Sequence, residues 1–325
     1  MVGYTMKINT LKRVFFFFLI ISFGQQVSAN EYKIGLATWS GYPNCVQGFK
    51  DGLASKGLIE GKQVTFIEGE IGADKNLQRT VANHLKTQNV DLVFSLTTPG
   101  TTIIKEVMPA TTPVVFSIVT YPADSGLIES FEYSGNNLVG TSNYVPLYHS
   151  IDLLLGVLPA TKRVAIFHRK GEPNSKIQTA NLYRYFKKKG IKVVDVAVEN
   201  IEELKVEALA LVNEVDTFIT TTDTLIQSGG ELALIELSLA HNIPILSANK
   251  KGIEQGATFG VVADFYQLGM MAGEMAAQIL LDKALPESIE SKLQEPPTYL
   301  FNKSSIKQLG INVPEQLGFK IQWTK

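Results

Sequence analysis

The chain is short of reactive side chains. A single cysteine, Cys45, in 325 residues leaves no internal disulfide. Its setting, Tyr42-Pro-Asn-Cys-Val-Gln-Gly-Phe49, reads as a packed helix position rather than an exposed thiol. The four histidines, His84, His149, His168 and His241, have no spacing typical of metal ligands, and no metal site is expected. His84 and His241 fall on helix surfaces; only His168 lies in a loop expected to face a cleft, where positioning suits it better than acid–base work. Walker P-loop, GxGxxG, GxSxG and HExxH motifs are all missing, so no cofactor is expected and no common catalytic motif supports an enzyme. There is no block of like charge and no low-complexity tract. With a formal net charge of −1 and no concentrated basic face, nucleic acid is not expected as a partner.

The N-terminus has an order of its own. Lys7, Lys12 and Arg13 precede the ten-residue apolar run Val14–Phe23, and Val27-Ser-Ala29 supplies the small residues of a cleavage site. Ten apolar residues are too few to span a bilayer, so residues 1–29 are expected to be a signal peptide cleaved near Ala29, placing the mature protein in the periplasm or outside the cell. No cysteine ends the apolar run, so a lipid-anchored form is not expected. The leader carries three positive charges and no acid, so its removal takes the net charge from −1 to −4.

What the mature chain has in quantity is a repeated pattern. Val90-Asp-Leu-Val-Phe-Ser-Leu-Thr-Thr-Pro-Gly-Thr101 is a short apolar run emptying into small hydroxyl residues before a helical segment, as a buried parallel strand does. Such a loop offers hydroxyls and unpaired N–H groups to an anionic group. Val215-Asp-Thr-Phe-Ile-Thr-Thr-Thr-Asp-Thr224 is a second copy. Lys33–Thr38 and Gln63–Ile67 precede the first copy as Arg163–Phe167 and Lys192–Val198 precede the second; Pro113–Ser117 and Pro244–Ser247 follow them. The expected fold is therefore α/β: two similar lobes with parallel sheets, joined by a three-crossing hinge. Lobe one is expected to take 30–143 plus about 259–290, and lobe two 144–258 plus about 291–325. In this scheme Thr258-Phe-Gly-Val-Val-Ala263 crosses back as a strand of lobe one, ahead of a helix over Leu268–Leu281. Asn44 is expected to cap the first helix, and Asn174 or Ser175 the helix ending near Lys189.

In open parallel sheets ligands bind beyond the carboxyl ends of the strands, where all these polar loops fall. For an amino acid, Thr97, Thr98 and Ser117 would take the carboxylate; Asp223, then Asp264, would take the ammonium; Trp39 with Tyr42 or Tyr121 would supply an apolar wall. Plainer roles fit the same residues: Thr97, Thr98, Asp223 and Asp264 as helix caps, Trp39 as hinge packing. Asp223 and Asp264 also keep an α/β enzyme acting on a small polar substrate as an alternative.

In this order and spacing, Gln47-Gly-Phe-Lys-Asp-Gly-Leu53, Val90-Asp-Leu-Val93, Thr98-Pro99, Pro113-Val-Val-Phe116, Val119-Thr-Tyr-Pro122, Glu172-Pro-Asn-Ser175, Thr222-Asp-Thr224 and Ala263-Asp-Phe-Tyr-Gln-Leu-Gly269 resemble the ABC-transporter substrate-binding proteins of the tryptophan/tyrosine-binding type, a branch of type I periplasmic binding proteins. The resemblance covers nearly the whole mature chain. It implies two Rossmann-like lobes, the fold of type I periplasmic binding proteins, with ligand held between them and delivered to a membrane permease; the alternative is a ligand-sensing binding protein that signals to a membrane sensor kinase instead. It implies ligand loops after Ala37, Ser95, Phe116, Phe167, Thr221 and Leu246, which adds Thr120, Asn174, Ser175, Thr222 and Asn249 to the candidate residues. The chain departs from the pattern at Thr120-Tyr121-Pro122, where relatives often read Thr-Asp-Pro, and at Ser247-Ala248-Asn249, where they often have Ser-Asp.

Overall fold

The computed structural model describes residues 1–3, 31–39, 42–315 and 317–324; the expected leader lies outside them apart from residues 1–3. Residues 31–325 form one compact unit. The chain begins with β1 (Tyr32–Ala37), α1 (Pro43–Ser55), β2 (Val64–Glu68), α2 (Lys75–Thr87), β3 (Leu92–Leu96), α3 (Thr98–Val107), β4 (Val114–Ser117) and β5 (Leu138–Ser142). It continues with α4 (Leu147–Val157), β6 (Arg163–Arg169), α5 (Pro173–Lys188), β7 (Lys192–Val198), α6 (Ile201–Ala210), β8 (Thr217–Thr220), α7 (Glu231–His241), β9 (Ile245–Ser247), α8 (Lys250–Gln255) and β10 (Phe259–Val262). It closes with α9 (Phe265–Asp282), β11 (Lys292–Leu293), β12 (Thr298–Phe301), α10 (Lys303–Gln308) and β13 (Ile321–Trp323).

These strands make two sheets, ordered β11-β5-β4-β3-β1-β2 and β13-β12-β10-β9-β8-β6-β7. Among the described residues every strand pairing is parallel except β10 with β12. The central strands β3, β4 and β8 are buried along their whole length, as parallel strands covered by helices on both faces must be. Each sheet has an apolar cluster on either face. Phe49 stacks on Phe94 at 3.8 Å under the first sheet, and Phe167 meets Phe218 edge-on at 5.0 Å under the second. Burying one such ring contributes roughly 1.5–3 kcal/mol. Among the described residues no helix is long and apolar enough to cross a membrane.

The strand Phe259–Val262 corrects the expected division of the chain. It pairs with β9 (Phe259↔Leu246) and with β12 (Phe259↔Phe301), so it belongs to the second sheet. Gly260 allows this: a Cβ there would lie 1.9 Å from the Ser247 carbonyl oxygen. The chain crosses back only after Val262, and α9 then packs on α1 and the first sheet. Residues 292–293 still pair with β5, so the last crossing falls between β11 and β12. The chain passes between the sheets three times.

The α1–α9 crossing is made by small residues on both helices. A Cβ on Gly48 or Gly52 would meet the Tyr266 or Met270 carbonyl at 2.1 or 2.3 Å, and one on Gly269 or Gly273 would meet the Cys45 or Phe49 carbonyl at 2.1 or 2.3 Å. Backbone lies on backbone, which fixes Tyr42 at the start of α1 beside Phe265 at the start of α9, their rings 5.6 Å apart. Helix starts also differ from the expectations. α1 opens at Pro43 with Asn44 inside its first turn and no side-chain cap. α5 opens at Pro173, leaving Asn174 and Ser175 within the helix rather than capping it.

Candidate functional site

The carboxyl ends of both sheets converge, and the two halves touch there. The Thr120 and Thr222 hydroxyls lie 2.9 Å apart, one from each half, and Thr120 also donates to Asn143 Oδ1 at 3.1 Å. The Thr222 hydroxyl and N–H both donate to Gln178 Oε1 at 2.9 Å. The cleft is closed.

On the first-sheet side, Thr97 caps α3: its hydroxyl accepts from the Gly100 N–H at 3.2 Å. Thr97 does this at φ 69°, a left-handed conformation that a β-branched residue enters only under constraint, and Ile118 at the end of β4 has φ 56°. Such outliers gather at binding sites because the fold over-determines them. Beside them Thr98 Oγ1 and Trp39 Nε1 are buried without a partner. Ser117 is not brought to the cleft: its hydroxyl bonds to Thr141 Oγ1 at 2.7 Å and accepts from Cys45 Sγ at 3.2 Å inside the sheet.

The second-sheet side is acidic. Asp223 is fully buried and takes the Thr221 hydroxyl at 2.6 Å, the Arg169 N–H at 2.9 Å and the Ile226 N–H at 2.8 Å. A carboxylate offers about four lone-pair sites, so one remains. Glu172 receives the Thr224 hydroxyl at 2.6 Å and the Thr224 N–H at 3.1 Å. Burial, and then the charge of Asp223, raises the pKa of Glu172; burial raises that of Asp223 despite its hydrogen bonds. Tyr42 reaches this pair from the first half: burial raises its pKa well above the usual phenol value, and the charges of Glu172 and Asp223 add to the rise. Asn174 donates its Nδ2 to the Thr222 carbonyl at 2.8 Å and leaves Oδ1 buried and unpartnered. Ser175 instead spends its hydroxyl on the Arg169 carbonyl at 3.0 Å, inside its own half.

Alongside this contact lies a cavity of about 470 Å³, bounded by Tyr42, Gln227, Glu231, Asn249, Asp264 and Phe265. Both halves and the hinge contribute to it, and its size suits a small molecule. Of the expected residues, Tyr42, Asn249 and Asp264 line it; Thr120 and Thr222 meet in the contact next to it, and Trp39, Thr97, Thr98, Asn174 and Asp223 are buried within their own halves. Asp264 caps α9 through the Tyr266 N–H at 2.9 Å and pairs with Lys250. Burial alone would raise its pKa, but the Lys250 hydrogen bond and charge outweigh that and lower it. With Lys250 on it, Asp264 is a latch between α8 and the hinge rather than a free acid.

Four contributors are not singled out as site residues by the sequence: Gln227 in the cavity wall, Glu172, Phe265 and Glu231. Glu172 stood inside a motif already singled out, but its burial comes from the β8 loop folding over it. Phe265 reaches the cavity only because β10 ends in the second sheet. Glu231 is buried under three donors: the Ser247 hydroxyl at 2.5 Å, the Thr220 hydroxyl at 2.9 Å and Asn249 Nδ2 at 3.1 Å. Gly252 makes room, since a Cβ there would lie 2.0 Å from Glu231 Oε2. The signal was a glutamate opening the apolar helix Glu231-Leu-Ala-Leu-Ile235 behind Gly229-Gly230, paired with a glycine twenty-one residues on.

Two sheets of mostly parallel strands whose carboxyl ends meet around a polar cleft have the layout of a solute-binding protein. The chain matches the ABC transporter substrate binding protein family over residues 40–322, and it belongs to that family. It is 26% identical over 285 residues to a tyrosine-binding protein of Clostridioides difficile (strain R20291), covering 87% of this chain and 82% of that one. It is similar in structure to an ABC domain in complex with L-Trp from Streptococcus pneumonia, at 25% identity and TM-score 0.81, covering 88% and 97% of the two chains. A substrate binding protein with adhesive properties from Clostridium difficile, in its ligand-free, open form, shares the fold at 24% identity and TM-score 0.68, covering 90% and 100%.

Proposed function

We propose that this protein is exported past its N-terminal leader and captures an amino acid, an aromatic one by preference, between its two halves for an ABC importer. The observation that carries this reading is the polarity of the cleft. Buried acids, Asp223 and Glu172, stand on the second-sheet side; unpartnered donors, Thr98 Oγ1 and Trp39 Nε1, stand on the first-sheet side. An α-amino acid carries its ammonium and carboxylate on one carbon, so it bridges two such walls with its charges matched. The neighbouring cavity, with Tyr42 and Phe265 in its wall, suits a ring as the side chain. The match to a tyrosine-binding protein and to an L-Trp complex supports the same ligand class. The three crossings provide a hinge, and closure would reshape the outer surface that a permease reads.

The test is calorimetry on the purified protein, unfolded and refolded to strip carried-over ligand, titrated with amino acids, sugars and purines. Binding of aromatic amino acids alone at micromolar affinity, about −8 kcal/mol, is the expected result. Heat from a sugar or a purine and none from any amino acid would refute it.

A further inference from the structure

Two residues of the cavity wall hold polar atoms with no partner in the protein. Asn249 is 3% exposed. Its Nδ2 lies 3.2 Å from the Thr221 carbonyl and 3.1 Å from Glu231 Oε2. The Thr221 carbonyl can only accept, whatever the protonation of Glu231, so the NH₂ group must point that way. The amide cannot flip, and its oxygen is left over: Asn249 Oδ1 is buried with no partner. Gln227, in the same cavity wall, carries an Nε2 that is also buried and unpartnered. It sits on the wide turn Ile226–Gly230, where Ser228 and Gly229 leave helical angles and so set Gln227 apart from the regular α7.

A ligand that filled the cavity with hydrocarbon would seal off a fixed acceptor and an unmet amide, the most discriminating arrangement against an apolar group. An ammonium or indole N–H can only donate, and a carboxylate or ketone can only accept. A hydroxyl does both. It can donate its one proton to Asn249 Oδ1 and accept from Gln227 Nε2.

We propose that Asn249 and Gln227 form a hydroxyl subsite, so that the cavity selects an amino acid whose side chain carries a hydroxyl, of the phenol type, over the same side chain without it. Glu231 and the Thr221 carbonyl act by holding the Asn249 amide in one orientation. This rests on the amino-acid reading above and adds to it the group that the side chain must carry.

The experiment is competitive calorimetry on the refolded protein with L-tyrosine and L-phenylalanine, which differ by the one hydroxyl. The subsite predicts tyrosine binding at least about tenfold tighter. In Asn249→Leu, of similar size but without the acceptor, the ratio falls to within about threefold, chiefly by loss of tyrosine affinity. Gln227→Leu lowers the ratio in the same direction. Equal affinities in the unsubstituted protein overturn the subsite while leaving the amino-acid reading in place, and that ratio needs no variant to fold. A high ratio unchanged in both folded variants also overturns it. If neither amino acid binds, the underlying reading fails and the subsite with it.

Discussion

The two walls of the cleft come from a repeated pattern but are built on different physics. The first-sheet wall holds its groups through backbone geometry: Thr97 and Ile118 sit at positive φ, and the Trp39 and Thr98 donors have no internal partner. The second-sheet wall holds charge. Asp223, Glu172 and Glu231 are buried, and each is surrounded by hydroxyl, amide or backbone N–H donors. A buried carboxylate with donors is tolerated, whereas one stripped of them costs several kcal/mol. A duplicated layout therefore need not give duplicated chemistry. One wall is prepared for negative charge and the other for positive.

The largest break of this contrast is expected from Asp223→Asn. It keeps shape and most hydrogen bonds but removes charge from the acidic wall, so affinity for an amino acid should fall about a hundredfold, or about 3 kcal/mol, in a calorimetric titration. The second test is pH. Burial lifts the Glu231 carboxyl from 4.5 to about 7, against hydrogen bonds from Ser247, Thr220 and Asn249 that pull it down. Between those values the folded state keeps a proton that the unfolded state releases. The resulting stability is complete below about pH 4.5 and lost as pH rises to about 7, amounting to roughly 3 kcal/mol. Glu172 and Asp223, also raised, act with the same sign. Urea unfolding of ligand-free protein should give a higher midpoint at pH 5 than at pH 8, and Glu231→Gln should flatten the slope.

A third substitution probes the first half alone. Gly273→Ala would push a methyl toward the Phe49 carbonyl across the α1–α9 crossing, and should cost about 2 kcal/mol of stability, read as a lower thermal midpoint. Because α1 and α9 carry Tyr42 and Phe265, affinity should drop along with stability. The smallest effect is expected from Thr120→Val. It removes the hydroxyl contact between the halves and should weaken ligand binding by about 1 kcal/mol, roughly fivefold, with little change in the unfolding midpoint.

The layout was readable because buried parallel strands write themselves as apolar runs ending in turn residues; β3 and β8 with their Thr-rich loops stood where the pattern put them. Phe259–Val262 was misplaced because an apolar run does not say which sheet it joins. That was decided by Gly260 lying against the Ser247 carbonyl and by Phe259 packing on Phe301 at 5.5 Å, both distant in sequence. Ser117 looked like a cleft residue by position, but the inward face of β4 turned it toward Thr141 and Cys45. Glu231 was hidden because a glutamate in a helix is ordinarily a surface residue, and only Gly252 on another helix makes its burial possible.

The central claim is that the second-sheet wall receives a cation. Its most direct test is calorimetry of L-tyrosine binding near pH 6.5 in two buffers of different ionisation enthalpy. The acids on that wall hold protons more tightly than ordinary carboxyls, and an ammonium arriving beside them lowers their pKa. Binding should therefore release protons, up to about one per ligand. Proton uptake, or an enthalpy independent of the buffer, would contradict the account.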